Sequence, residues 1–491
     1  MVLNGRVGSS PTFRTTSNLD YSRVEIAAKA RQWPCRRQMP SPKDVLLINP
    51  WIFDFTAYDF WMRPLGLLYV GALLREYTNS RLHLIDCLDR HHPQLPKKAK
   101  SKRDGRGPFF KEEVSKPSVL RDVPRKFSRY GIPLTLFFDQ LDQLPQPDMV
   151  LVTCTMTYWY PGARLVIELI RQKFGRVPVV LGGVYATLLP GHARGATDAD
   201  FVLEGPGERE LLPLMREVFG DKFCPDLRFE KLKSIPWPAF DLLSDRNTLP
   251  VLTSRGCPYD CSYCASSLLF KGFDQESPER IVGHIECLHR VHQTKNIALY
   301  DDALLLNKTK HIIPILEQVI RKEIPVAFHT PNGLHVAEID AGLASLIKRA
   351  NFQSLFLSQE SFDENVLEDS CSKVSSTDLE VALDHLKNAG YRPSEINVYL
   401  MVGLPGQGVK GIRESIRRVQ ALGARPRLAY FSPVPGTATW DSLITKGIIQ
   451  SDVDPLLHNK VAFPYTWGQM FPSDFESIKD LIRTDPGASI S

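Results

Sequence analysis

Residues 255–266 read RGCPYDCSYCAS, which places Cys257, Cys261 and Cys264 in a CxxxCxxC spacing on one short loop. The loop follows the strand-like run VLTSR, so the three thiolates are expected at a strand's carboxyl end. Three thiolates can bind three irons of a cubane 4Fe–4S cluster and leave the fourth iron open, whereas ordinary electron carriers use four. Half a zinc site and plain packed cysteines are the alternatives. Zinc sites favour CxxC pairs with a second pair downstream. Here only Cys287 and Cys371 follow, each isolated. One cubane cluster per chain is the expected occupant.

Downstream of the loop, apolar strands alternate with amphipathic helices. The strand runs are NIALYDDAL, PVAFHTP, SLFLSQES, INVYLMVGL and RLAYFSPVP. Between them Ile281, Ile285 and Leu288 share one helical face, and Leu379, Leu383 and Leu386 another that stops at Gly390. These βα units are too few for a closed eight-fold barrel. The spacing predicts an open, six-stranded partial β/α barrel over residues 249–445, followed by a C-terminal extension, 446–491, with one helix at DFESIKDLI.

Upstream, residues 221–248 read as a proline-bearing linker, with Pro236 and Pro238. Residues 41–220 carry their own alternation. The strands are VLLINP, LHLIDCL, MVLVTCTM, PVVLGGVYAT and FVLEGPGE, and the helices include PLGLLYVGALLREYT and GARLVIELIRQKFG. This predicts an α/β domain, Rossmann-like and of the flavodoxin-like kind, with a parallel sheet covered on both faces. Ligands of such sheets sit at the carboxyl ends of strands. Three loops there look specialised: TMTYWYPG, GGVYAT and EGPGE. A polar insertion, 97–130, interrupts the domain, and its KKAKSKRDGRG run is expected to be a solvated loop. Residues 1–40 read as a tail, or as the product of a start placed ahead of Met39.

The bulk numbers exclude several classes. The 491 residues are 43% hydrophobic and 23% charged, which excludes disorder of the whole chain. The cleanest uncharged stretch, VPVVLGGVYATLLPG, falls short of the roughly 18 residues of a membrane helix. A net charge of +5 supplies no concentrated basic face, so nucleic acid is not an expected partner. Nine cysteines with no secretory apolar segment before them suit reduced thiols in a cytoplasm better than disulfides.

The cysteine loop, with Tyr263 ahead of its third cysteine, resembles that of the radical S-adenosylmethionine (SAM) superfamily. The resemblance continues along the barrel. Asp301 and Asp302 in YDDAL fall at the motif that holds the amino group of SAM. Gln359, Glu360 and Ser361 in SQES resemble the ribose and carboxylate motif. Gly403, Pro405 and Gly406 in MVGLPGQ resemble the glycine motif beside the adenine, and Pro435, Gly436 and Thr437 the sixth-strand motif. Gln407 stands where relatives often have Glu. The resemblance implies a cluster held by Cys257, Cys261 and Cys264, SAM contacts from Tyr263, Asp301, Asp302, Glu360, Ser361, Gly403, Pro405 and Pro435, and an outside electron donor such as ferredoxin or flavodoxin. It implies an enzyme that cleaves SAM to a deoxyadenosyl radical, with no catalytic side chain yet named.

The N-terminal domain resembles the cobalamin-binding domain fused ahead of many radical SAM proteins. That resemblance rests on GLLYVGALL, PDMVLVTCTMT, GGVYATLLPGHA and ADFVLEGPGERELL, and implies cobalamin contacts from Thr157, Tyr158, Gly182, Gly183, Tyr185, Glu204, Gly205 and Gly207. No DxHxxG motif occurs, so no histidine from that motif is expected below the cobalt. Two cofactor domains imply a transferase that methylates an unactivated carbon of a small-molecule or peptide substrate. The competing readings are a cobalamin-dependent radical cyclisation or rearrangement, a tRNA or protein methylthiotransferase, and a non-catalytic cluster-binding sensor. The methylthiotransferase would need a second cysteine triplet. Cys87 and Cys154 are expected to end neighbouring strands, and no third cysteine sits in GGVYAT.

Overall fold

The computed structural model describes residues 41–97, 100–369, 374–467 and 470–483. The N-terminal tail and Cys371 therefore lie outside the described residues. Val45 to Ile48 are buried without interruption in strand β1 (Lys43–Asn49), because this strand is paired on both edges and covered on both faces. Its partners are β2 (Ser80–Asp86) and β3 (Met149–Thr153), followed outward by β4 (Val179–Gly182) and β5 (Phe201–Val202). The sheet is parallel, in the order β5-β4-β3-β1-β2. The chain direction across it reverses between β1 and β3, which opens a crevice at their carboxyl ends.

Helices α1 (Leu65–Tyr77) and α4 (Gly207–Phe219) pack on Val45 and Leu47, whereas α2 (Tyr160–Phe174) covers Leu46 and Ile48 on the other face. The doubly wound domain expected from the alternation is present. One detail differs: β1 lies between β2 and β3, so Cys87 and Cys154 do not end neighbouring strands.

The polar insertion is not simply solvated. Lys100 to Arg103 are exposed, but the chain then turns inward at Asp104. The Asp104 carbonyl accepts from Trp61 Nε1 at 2.5 Å, and its carboxylate accepts from Ser354 Oγ at 3.1 Å. Gly105 has φ +88, and a Cβ there would lie 2.3 Å from Thr248 Oγ1. Burial of this charged segment is tolerated because Arg106 and Asp104 neutralise each other and the guanidinium stacks over Phe60 and Trp61.

The connector is equally fixed. Leu232, Ile235, Phe240 and Leu243 join one apolar core that runs from α1 into the barrel helices. Trp237 stacks on His284 at 4.7 Å, and the Arg280 guanidinium donates to the Ile235 carbonyl at 2.5 Å. It works as a packed joint rather than a free linker.

The second unit is made of parallel strands in two sheets. One holds β6 (Thr248–Val251), β7 (Asn296–Leu299), β8 (Ala327–His329) and β10 (Phe352–Ser354) in that order. The other holds β9 (Leu334–His335), β11 (Phe356–Glu360), β12 (Asn397–Val402) and β13 (Arg425–Tyr430). The expected single curved sheet of six strands is thus divided. The break falls at Leu355, between β10 and β11, next to a register shift at Phe328/His329. Among the described residues no ladder joins β6 to β13, so the barrel is open. Trp61, from the first domain, packs against Ala298 and Phe356, stacks on His329 and accepts at its carbonyl from Tyr300 Oη at 2.5 Å. It fills the space between the barrel strands.

The C-terminal extension returns to the first domain. Asn459 Nδ2 donates to buried Asp54 at 2.9 Å, and His458 Nδ1 lies 3.1 Å from Thr157 Oγ1. The expected last helix spans Pro472–Arg483. Among the described residues no helix is long and apolar enough to cross a membrane.

Candidate cofactor sites at the facing strand ends

The cysteine loop is anchored from below. Short strand Ser254–Arg255 pairs with Asp274–Gln275, and Gly256 then turns at φ +78, where a Cβ would lie 2.2 Å from the Gly272 carbonyl. Only glycine fits that approach. Cys261 is buried while Cys257 and Cys264 are partly exposed, and no disulfide engages them. Cys264 Sγ donates to Ser266 Oγ at 3.4 Å, and that hydroxyl donates to exposed Asp302 at 3.0 Å. Among the described residues no three His, Cys, Asp or Glu side chains converge on a point that one metal ion could occupy. The donor set is three thiols on one loop, a set that can reach three different irons of one cluster.

Glu360 ends β11 with a left-handed backbone, φ +67, next to a register shift between Ser358 and Glu360. A non-glycine residue held there is strained, a feature concentrated at functional sites. Its carboxylate accepts a hydrogen bond from the Tyr263 phenol. Burial first, and the Glu360 charge second, push the phenol pKa far up, so Tyr263 stays a neutral donor. The strain and the hydrogen bond together aim the carboxylate toward the cysteine loop.

Asp301 behaves differently from its neighbour. It is 2% exposed, and its carboxylate is taken up by Thr253 N (3.1 and 3.2 Å), Thr253 Oγ1 (2.6 Å) and Ser254 Oγ (2.6 Å). Both aspartates were expected at the SAM amino group; the structure instead ties Asp301 to the strand that carries the cysteine loop and leaves Asp302 facing outward. Burial holds the Asp301 carboxyl up at about 6, against the pull of the Ser254 and Thr253 hydrogen bonds. Its folded pKa exceeds the ordinary 3.8. The folded state therefore loses stability as pH rises through that interval and regains it at lower pH. Asp301→Asn should flatten this part of the stability profile between about pH 4 and 6 relative to the parent. Asp301→Ala, which leaves Thr253 N and Ser254 Oγ without their buried acceptor, should cost about 2–3 kcal/mol in denaturant unfolding at neutral pH.

The remaining barrel positions close around the loop. Gly403 N donates to Gln407 Oε1 at 2.9 Å, Leu404 N to the same oxygen at 3.3 Å, and Gln407 Nε2 donates to the Met401 carbonyl at 2.9 Å. The departure at Gln407 thus has a job: an amide both accepts and donates here, stapling the glycine turn. Beside it an apolar cavity is lined by Val402, Gly403, Leu404, Pro405, Phe431 and Trp467. Ser361 Oγ accepts from Asp363 N at 3.0 Å and is buried. Pro435 is buried just ahead of Gly436, whose Cβ would lie 3.2 Å from Leu268. Thr439 N donates to the Ser262 carbonyl at 2.8 Å, so the sixth-strand segment grips the cysteine loop directly.

At the first domain's carboxyl rim the glycines and the larger side chains separate. Gly182 and Gly205 have open space where a Cβ would stand. Gly183, at φ +94, lies so close to the Cys154 carbonyl that a Cβ would be 2.7 Å away. Gly207 packs its backbone on Val70, and Glu204 is exposed and paired with Arg194 at 2.6 Å. Thr157, Tyr158 and Tyr185, expected cobalamin contacts, are buried and each has a protein partner. Thr157 meets His458, Tyr158 meets Trp159, and Tyr185 Oη lies 2.6 Å from His192 Nδ1. An open, glycine-bearing cradle remains at β4 and β5. The short helix α3 (Val184–Leu188) after Gly183 touches Ser266–Leu269, the helix after the third cysteine. The two rims meet there.

Both units match known domain families. The sequence model of the Radical SAM superfamily matches residues 251–419, and that of the B12 binding domain matches residues 136–213. The chain carries a Radical SAM domain with a B12-binding domain ahead of it. Its cofactors are accordingly a 4Fe–4S cluster, SAM and cobalamin. An uncharacterized methyltransferase of Pyrococcus horikoshii is 25% identical over 64% of this chain and 74% of its own. Hopanoid C-3 methylase of Methylococcus capsulatus is 24% identical over 68% and 69%. In fold, the chain is similar to TsrM from Kitasatospora setae, a radical SAM methyltransferase solved with cobalamin and a [4Fe-4S] cluster, with TM-score 0.59 and 15% identity over 83% of this chain and 75% of that one.

Residues outside the sequence motifs also shape the site. Arg255, two positions before Cys257, forms a buried ion pair with Glu208 at 2.6 Å. Tyr259 of the cysteine loop stacks on His335 at 5.3 Å. Asp54, after β1, accepts from Trp159 Nε1 at 2.8 Å and from Asn459. An acid directly after GPG and an arginine directly before GC were the available signals for the first pair. Asp54 had none.

Proposed function

We propose that this protein methylates an unactivated carbon of a small-molecule or peptide substrate bound where the two strand-end rims meet. The contact between the helix after Gly183 and the helix after Cys264 carries the reading, because it puts both cofactor cradles on one seam. The methyltransferase names of the relatives agree with it. When bound, the cluster with SAM supplies hydrogen abstraction from carbon, and cobalamin supplies a methyl group.

In this reading Cys257, Cys261 and Cys264 hold the cluster. Glu360, oriented by Tyr263, and Asp302 bind the polar groups of SAM, while Ser361, Gly403, Pro405 and Pro435 shape the nucleoside side. Asp301 positions the cysteine loop without touching SAM. Gly182, Gly183, Gly205 and Gly207 let the backbone approach cobalamin, with Glu204 at the edge. Trp61 and the inward-turned insertion keep water out from between the barrel strands. A ferredoxin or flavodoxin in the cytoplasm supplies electrons.

The test is product stoichiometry. Reduced protein given methyl-labelled SAM and a metabolite extract from cells lacking the protein should yield deoxyadenosine and S-adenosylhomocysteine in equal amounts, with label in one new product. Deoxyadenosine without S-adenosylhomocysteine would instead support cyclisation or rearrangement.

A further inference from the structure

A buried ion pair joins the two cofactor units. Glu208 is the second residue of α4 and directly follows Gly205–Pro206–Gly207 at the end of β5. Arg255 sits two residues before Cys257. Arg255 Nη2 donates to Glu208 Oε1 at 2.6 Å, with the two side chains 10% and 5% exposed. The guanidinium also lies over Tyr69 of α1 at 4.8 Å and over Phe270, just past the cysteine loop, at 5.3 Å. Both ends are closely packed. Gly207 is pressed on Val70, and Gly256 on the Gly272 carbonyl.

A buried ion pair is a poor way to gain stability, since desolvation offsets much of the attraction. Such a pair does fix geometry: its two ends must meet in one arrangement, because each charge alone in an apolar seam is costly. Here one end belongs to the cobalamin cradle and the other to the strand that launches the cluster loop. We propose that Arg255 and Glu208 are positioning residues that set the separation and orientation of the cobalamin and cluster sites. They touch neither cofactor. The inference rests on the assignment of those two sites, but not on the reaction being methyl transfer.

The probe is the magnetic interaction between cob(II)alamin and the reduced cluster, both paramagnetic, in protein reconstituted with both. In the parent protein, reducing the cluster should speed relaxation of the cob(II)alamin electron spin. In Glu208→Gln and in Arg255→Met this enhancement should drop several-fold while iron and cobalamin stay at parent occupancy. The double variant Arg255→Gln/Glu208→Gln leaves no buried charge unpaired, so it should fold and load even where a single variant does not. Its broader distribution of separations should still lower the enhancement. Arg255→Lys keeps the charge but loses the planar fork, and should fall between the parent and Arg255→Met. Unchanged relaxation enhancement in the double variant, with both cofactors bound, would overturn the proposal. Failure of methyl transfer itself would show in product stoichiometry and leave the relaxation result standing.

Discussion

Cys261→Ala protein, reconstituted anaerobically with iron and sulfide, shows no brown cluster absorbance and forms no deoxyadenosine from SAM above background. The expectation follows from the loop. Cys261 is the buried member of the triplet, between two thiols that remain partly exposed. Two thiolates leave two irons without protein ligands, so the open-iron geometry is lost. Cys287→Ala is the matched control. Cys287 lies on helix Pro278–His292, away from the loop, and its loss should leave iron content and SAM cleavage at parent levels. Retention of about four irons and activity in Cys261→Ala would remove the basis for the site. Iron in the parent bears on the methylthiotransferase reading as well, since about eight irons per chain would mean two clusters. The first domain offers poor ligands for a second one. Cys87 and Cys154 are buried at the ends of strands that β1 separates, and GGVYAT brings no third cysteine beside them.

The parts of this molecule that sequence made legible are those with short-range causes. Uninterrupted runs such as Val45–Ile48 announce strands covered on both faces. A CxxxCxxC triplet after such a run is a local pattern with few alternative meanings. Asp301 shows where legibility stops. Beside Asp302 in sequence, it faces the opposite way, and only the pairing of β6 with β7 brings Thr253 and Ser254 onto it. Thr157, Tyr158 and Tyr185 make the same point from the other side. Whether an aromatic at a strand's end faces a ligand or the protein depends on what covers it. His458, some 300 positions away from Thr157, covers the loop here. The inward turn of the insertion at Asp104 likewise depends on a distant tryptophan and a distant serine.

Glu360→Gln should weaken SAM binding by about 1.5–3 kcal/mol, roughly ten- to a hundredfold by equilibrium dialysis, with little change in unfolding midpoint. Glutamine can still accept from the Tyr263 phenol, so the local hydrogen bond survives and only the charge is removed. Glu360→Gly separates binding from stability more sharply. The backbone at φ +67 costs a non-glycine residue about 1–3 kcal/mol, a cost glycine avoids. That relief is masked in the single variant, because the partly buried Tyr263 hydroxyl loses its acceptor. In a Tyr263→Phe background no hydroxyl is orphaned, and adding Glu360→Gly should then raise the unfolding free energy while SAM binding becomes undetectable. Opposite signs for stability and affinity at one residue would mark Glu360 as held in a strained conformation for its ligand. Parallel losses of both would instead make it an ordinary part of the barrel's packing, and the polar end of SAM would have to be sought at Asp302 alone.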